Sequence, residues 1–146
     1  MSEAYQIDEA QSVIWTRCWG VLCDEDVLNH QARLRADPKF RSGMSQLVDC
    51  TAVTEVTLTA RMMLQMGQST LFAPEAKRAY VVAKEVMFGL ARMYEMYQGM
   101  RGHHSVRVFR CRAQAVAWLD VQDCAPGSAP AGTPHAFNGT PSAHLG

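Results

Sequence analysis

The feature that constrains this chain most is an alternation. Short runs of β-branched and aromatic residues are separated by stretches long enough for one helix each. The first long run is Val13-Ile14-Trp15-Thr16-Arg17-Cys18-Trp19, closed by Gly20. Tyr5 to Ile7 forms a shorter run before it, with Asp8-Glu9 in the turn. Met44 to Asp49, Arg78 to Ala83 and Ser105 to Arg110 supply the others. Between them lie helical segments. Asp24 suits an N-cap for a helix to Ala36. Asp37-Pro38 stops that helix, because proline disfavours helical geometry in the residue before it. Thr54 or Thr57 suits the cap of a second helix, which runs to about Leu71. A third covers about Glu85 to Met100, with Gly102 ending it, and a fourth covers Arg112 to Asp120 with Ala115, Val116, Trp118 and Leu119 facing in. Strands joined by helices pair in parallel. The order therefore predicts an α/β fold in a single domain, a mostly parallel sheet of about five strands packed with about four helices.

Composition sets the limits of that domain. After Leu119 the chain changes: residues 121–146 are rich in Ala, Pro, Gly, Ser and Thr, with Pro126, Pro130, Pro134 and Pro141 spread through them. Such a stretch buries too little apolar surface to offset its ordering entropy, which predicts a disordered tail. The folded part is then residues 3–120. A formal net charge of zero argues against nucleic acid as a partner, since phosphate neutralisation calls for a basic excess. No apolar run approaches the ~20 residues of a transmembrane span. The polar start, Met1-Ser2-Glu3-Ala4-Tyr5-Gln6, lacks the basic and apolar regions of a signal peptide. The expected compartment is the cytoplasm.

The five cysteines, Cys18, Cys23, Cys50, Cys111 and Cys124, are odd in number and form no C-x-x-C pair. That pattern fits neither a disulfide framework nor a zinc site, so they read as reduced thiols. His30, His103, His104, His135 and His144 have no metal-ligand spacing. No Walker loop, nucleophile elbow, dinucleotide fingerprint or H-E-x-x-H is present. No catalytic residue, metal or cofactor is therefore expected. Cys50 draws notice because it follows Asp49 at a strand end, where α/β proteins place ligand sites, but no His is placed beside it and a buried inert thiol is the preferred reading. Arg101, Arg107, Arg110 and Arg112 form a local basic cluster, read as the charges of an edge strand.

The methionines are a stronger lead. Nine occur in 146 residues, and most lie on the second and third helices. On the third helix Val86, Leu90, Met93, Tyr97 and Met100 recur at helical spacing and are expected to face the core. Met87, Ala91 and Tyr94 make a second apolar line beside them. On the second helix the expected core stripe is Ala60, Met63, Leu64, Gly67 and Leu71, with Leu58, Met62 and Met66 alongside. Two apolar lines on each of two helices exceed what one sheet contact needs. The excess suggests a lipophilic pocket, a partner groove or a homodimer contact, because flexible methionine suits variable ligands. The candidate surface is Met62, Met66, Met87, Phe88, Arg92, Tyr94 and Met96, with Arg92 and Tyr94 as polar contacts at its rim. A core packed with methionine is the competing reading.

Several blocks in order carry a resemblance. These are Leu47-Val48-Asp49 with Val53-Thr54-Glu55, then Arg78-Ala79-Tyr80-Val81-Val82, Phe88-Gly89-Leu90-Ala91-Arg92-Met93-Tyr94, Val106-Arg107-Val108-Phe109-Arg110 and Ala115-Val116-Ala117-Trp118-Leu119. Together they resemble a bacterial group described as SpoIIAA-like or STAS-like. Its fold is similar to the anti-sigma-factor antagonists and to the CRAL-TRIO lipid carriers. The resemblance by itself implies little about function, and it is the methionine-rich helical surface that points to a non-enzymatic binding or regulatory module for a lipophilic small molecule or a protein partner. The resemblance adds an alternative, a phosphorylated switch of the anti-sigma-antagonist type. In those switches the acceptor is a Ser within Asp-Ser-Ser-Gly at a helix start. The matching stretch here is Thr57-Leu58-Thr59-Ala60, without the Asp, the Ser pair or the Gly; Thr57 and Thr59 are the candidate acceptors, and helix capping is the preferred reading of both.

Overall fold

A computed structural model describes residues 3–123. Its elements in chain order are β1 (Glu3–Asp8), β2 (Val13–Leu22), α1 (Asp24–Ala36), β3 (Ser45–Val56), α2 (Ala60–Gly67), β4 (Arg78–Val81), α3 (Glu85–Met100), β5 (Val106–Phe109) and α4 (Arg112–Leu119). The five strands form one sheet in the order β1-β2-β3-β4-β5. β1 pairs antiparallel with β2, and every other pair is parallel. The expected α/β class and mostly parallel sheet are both present. The expected disordered tail lies outside the described residues from Cys124 onward. Within 121–123 the chain still touches the domain. Val121 packs against the α4-side cluster, Gln122 exchanges hydrogen bonds with Gln11, and Asp123 pairs with Arg112.

Alternation along each strand divides the sheet into two faces. One carries Val13, Trp15, Leu47, Ala79 and Val81, and α4 covers it through Ala115 and Leu119. Val116 and Trp118, expected to face in fully, are only half-buried beside that cluster. The opposite face carries Cys18, Val48 and Cys50, against which Met87 and Ala91 of α3 pack. Near the start of the strands, Ile7, Ile14, Leu34, Met44, Leu71 and Phe72 close a further cluster on that side.

Three expected boundaries moved, the first being α2, which stops at Gly67 and not at about Leu71. Gly20 does not end β2, which continues to Leu22. Gly20 instead takes φ of +68°, and the β2–β3 register shifts between Gly20 and Val21. Only glycine enters that left-handed region freely, so it serves as the pivot of a bulge. β3 likewise runs on to Val56, so Thr54 lies in a strand and caps nothing. Val53, Thr54 and Val56 are β-branched, and the long β2 offers a partner as far as Leu22.

Candidate functional site

The face under α1, α2 and α3 is unusual for a sheet interior in what it buries. Glu3, Thr16, Gln46 and Arg78 are all buried there or beside it. Gln46 and Arg78 are register partners on β3 and β4. Tyr80, two residues on from Arg78, shares its face. Above this polar floor the three helices do not close completely. A cavity of about 80 Å³ remains. Space of that order holds roughly five to eight waters at 10–15 Å³ each. One wall is α1, through Asp26, Val27, His30 and Leu34. The facing wall is α2 and α3, through Met63, Met66, Met87, Ala91 and Tyr94. Leu71 and Phe72 close one end, and Cys18, Cys50 and Tyr80 contribute to the floor.

Local sequence explains how each wall is held. α1 begins one residue earlier in its cap than Asp24 suggests. Cys23 is the N-cap, and its backbone N–H donates to Asp26 Oδ2 at 2.9 Å. Asp24, Glu25 and Asp26 in the first turn and Arg33 and Arg35 in the last match the helix dipole. Asp24 is used elsewhere: it accepts from the backbone N–H of Thr59 at 2.9 Å and from its hydroxyl at 2.8 Å. Thr59 is the N-cap of α2 and accepts from Met62 N–H at 3.1 Å. One threonine thereby fixes the start of α2 to the start of α1. Thr57 is exposed, and its hydroxyl lies 3.4 Å from the Leu22 carbonyl.

At the α1 wall, Gln46 Nε2 donates to Thr16 Oγ1 at 2.9 Å and lies 3.0 Å from His30 Nε2. An amide N–H₂ can only donate, so His30 Nε2 accepts and the ring proton resides on Nδ1. That Nδ1 is 3.0 Å from Glu3, whose carboxylate also pairs with Arg33. Burial pulls the His30 imidazole down to about 4, so it is neutral at pH 7. The Glu3 carboxylate lies beside that Nδ1 without a hydrogen bond of regular geometry, so the contact is one of proximity. On the floor, Cys18 is pushed up by the neighbouring Cys50 sulfur and by burial. It is a thiol and no nucleophile at neutral pH. Burial also raises the Tyr80 phenol.

Arg78 occupies the α3 side. Its Nη1 donates to the Tyr94 hydroxyl, and its guanidinium stacks over Phe72 at 4.8 Å and Tyr94 at 5.4 Å. It is 8 % exposed.

The structure rearranges the methionine surface expected from sequence. Met87, Ala91, Tyr94 and Gln98 are the buried line of α3. Val86 and Met100, expected to face the core, are 57 % and 82 % exposed. Leu90, Met93 and Tyr97 are half-buried against α2. The cause is Gln98. Its Nε2 donates to the Gly67 carbonyl at 2.9 Å and its Oε1 bonds His103, so a polar residue anchors the buried side. On α2, Met62, Met63 and Gly67 are buried, whereas Leu64 is 46 % exposed and Ala60 is exposed too.

Of the candidate residues, Met66, Met87 and Tyr94 line the cavity. Tyr94 is therefore not at a rim: it is 2 % exposed and bound to Arg78. Met62 is buried but does not line the cavity. Phe88 lies half-buried beneath Arg110 at 4.0 Å. Arg92 is exposed and lies 3.5 Å from Glu95. Met96 is 63 % exposed and away from the cavity. The polar half of the cavity, Glu3, His30, Gln46 and Arg78, was missed. No spacing marks it, because its members come from separate elements. Among the described residues no cluster of His, Cys, Asp or Glu is placed to hold a metal, and no helix is long and apolar enough to cross a membrane.

A sheet with one antiparallel edge strand and helices on both faces has solved counterparts. One is an uncharacterized protein of the DUF3478 family from Shewanella loihica PV-4, described as having a SpoIIAA-like fold. It aligns over 81 % of this chain and 94 % of its own, with a TM-score of 0.55 and 18 % identity. This chain has a SpoIIAA-like fold. At that identity the likeness speaks for the backbone of the SpoIIAA-like domain and not for its ligand. No family model matches the sequence, and no curated protein matches it.

Proposed function

We propose that this SpoIIAA-like domain is a binding module that takes one small lipophilic molecule into the cavity between α1 and the α2–α3 pair. The observation that carries this reading is the cavity's make-up. Apolar walls of Met63, Met66, Met87, Leu71 and Phe72 stand over a few polar groups, the usual composition of a ligand pocket. Thioether walls adapt to ligand shape at low cost. The buried titratable groups are tied into structural contacts: His30 to Gln46 and Glu3, and Tyr94 to Arg78. That favours binding over proton transfer.

Native mass spectrometry of the full chain tests the reading. A small adduct in one-to-one ratio is expected on protein from cells or after exposure to short apolar compounds. Ala91→Leu, which fills the cavity from α3, should abolish the adduct while the protein stays folded. An adduct that survives Ala91→Leu, or a dimer with no adduct, would move the activity to the exposed side of α3. Thr59 gains no support as a phosphate acceptor. Its hydroxyl is already bonded to Asp24, whose carboxylate would repel a phosphate 2.8 Å away.

A further inference from the structure

We infer that the ligand carries an oxyanion, in the first place a carboxylate, and that Arg78 receives it. The inference rests on the cavity being a ligand site and names the class of molecule it takes. Arg78 is a permanent cation, more than nine-tenths buried, in the cavity wall. Among the described residues it forms no ion pair, and its guanidinium makes one hydrogen bond, from Nη1 to the Tyr94 hydroxyl. Its Nε is buried with no partner at all.

A buried guanidinium left in that state is costly, because desolvation is not repaid by a counter-charge. Stacking on Phe72 and Tyr94 offsets part of the charge, but an aromatic face offers no acceptor in line with an N–H. The acids in the cavity wall are engaged elsewhere: Glu3 with His30 and Arg33, Asp26 with the Cys23 backbone. With Nη1 given to Tyr94, Nε and Nη2 are left without an acceptor, and Nε meets the cavity only when the guanidinium turns that edge toward a ligand. Those two parallel N–H groups match the two oxygens of a carboxylate. The apolar body of such a ligand would lie against Met63, Met66 and Met87. A cavity of about 80 Å³ suits a short chain, on the order of the five to eight heavy atoms that displace as many waters.

The methionines report the test directly. The full chain is labelled with ¹³C at the methionine methyl groups and titrated with hexanoate, hexan-1-ol and hexylamine, which share a six-carbon body and differ in charge. Hexanoate should shift the Met63, Met66 and Met87 methyls saturably and leave the exposed Met96 and Met100 in place. It should bind at least tenfold more tightly than hexan-1-ol, and hexylamine should bind more weakly than either. Arg78→Gln should remove the tenfold preference and leave hexan-1-ol binding unchanged. The wild-type comparison stands even if that variant does not fold. Equal binding of hexanoate and hexan-1-ol, or a preference for hexylamine, would overturn the anion assignment and leave the lipophilic pocket intact. No shift of the three methyls with any probe would overturn the pocket as well.

Discussion

Gly67→Ala should destabilise this domain, and the structure gives the reason. Gly67 is the last residue of α2 and is buried against α3. A Cβ built there would lie 2.8 Å from the Cβ of Tyr97, an atom fixed to the helix backbone and unable to swing away. Reaching the 3.4 Å at which ordinary contact begins requires the two helices to part by about 0.6 Å at this crossing. The Gly67 carbonyl also accepts from Gln98 at 2.9 Å and from Arg101, so the same movement stretches two hydrogen bonds. Overpacking of this kind costs ~1–3 kcal/mol, against which alanine's helix propensity returns at most ~1 kcal/mol. The expected net loss is about 1–2 kcal/mol, read as a lower urea midpoint with unchanged slope. Gly89→Ala is the matched control. Gly89 is exposed in α3 and nothing lies within 4 Å of its Cβ position, so the same substitution should stabilise by ~0.5–1 kcal/mol. A Gly67→Ala midpoint equal to or above wild type would refute the close α2–α3 contact that frames one wall of the cavity.

Other outcomes follow from the same contacts. Met87→Ala should cost ~2–5 kcal/mol as a buried side chain, whereas Met96→Ala, at 63 % exposure, should cost under ~0.5 kcal/mol; equal losses in urea melts would refute the assignment of faces. Thr59→Val should cost ~0.5–2 kcal/mol through the lost α2 cap, and an unchanged melting temperature would show the cap to be dispensable. His30 has a folded-state pKa depressed to about 4, so between 6.5 and 4 the unfolded chain takes up a proton that the folded one refuses. Its contribution to stability is complete above pH 6.5 and is lost as pH falls toward 4, by up to about 3 kcal/mol and less where the Glu3 carboxylate favours the charged ring. Comparing His30→Asn with wild type at several pH values isolates that slope, and identical pH profiles would refute it.

The parts of this fold legible in the sequence were those set by local pattern. The bounds of α3 came out as read because Gly102 and a long helix-forming run define them locally. Its inward face did not, because both of its lines are apolar and the decision belongs to Gln98, whose amide finds partners only in the folded chain. β3 ran past its expected end for a similar reason, since the pairing that holds Val53 to Val56 comes from β2. The methionine lines pointed to α2 and α3, and Met66, Met87 and Tyr94 do line the cavity. Its charged side stayed hidden. Arg78 opens a strand, where arginine ordinarily faces solvent, and only the register beside Gln46 and the cover of α3 bury it.

A crystal structure of the full chain soaked with hexanoate tests the ligand-site reading most directly. Density for one hexanoate is expected between α1 and α3, its carboxylate within hydrogen-bond distance of Arg78 Nε and its chain against Met63 and Met87. An empty cavity closed by repacked methionines, or hexanoate on the outer face of α3 beside Met96, would contradict it.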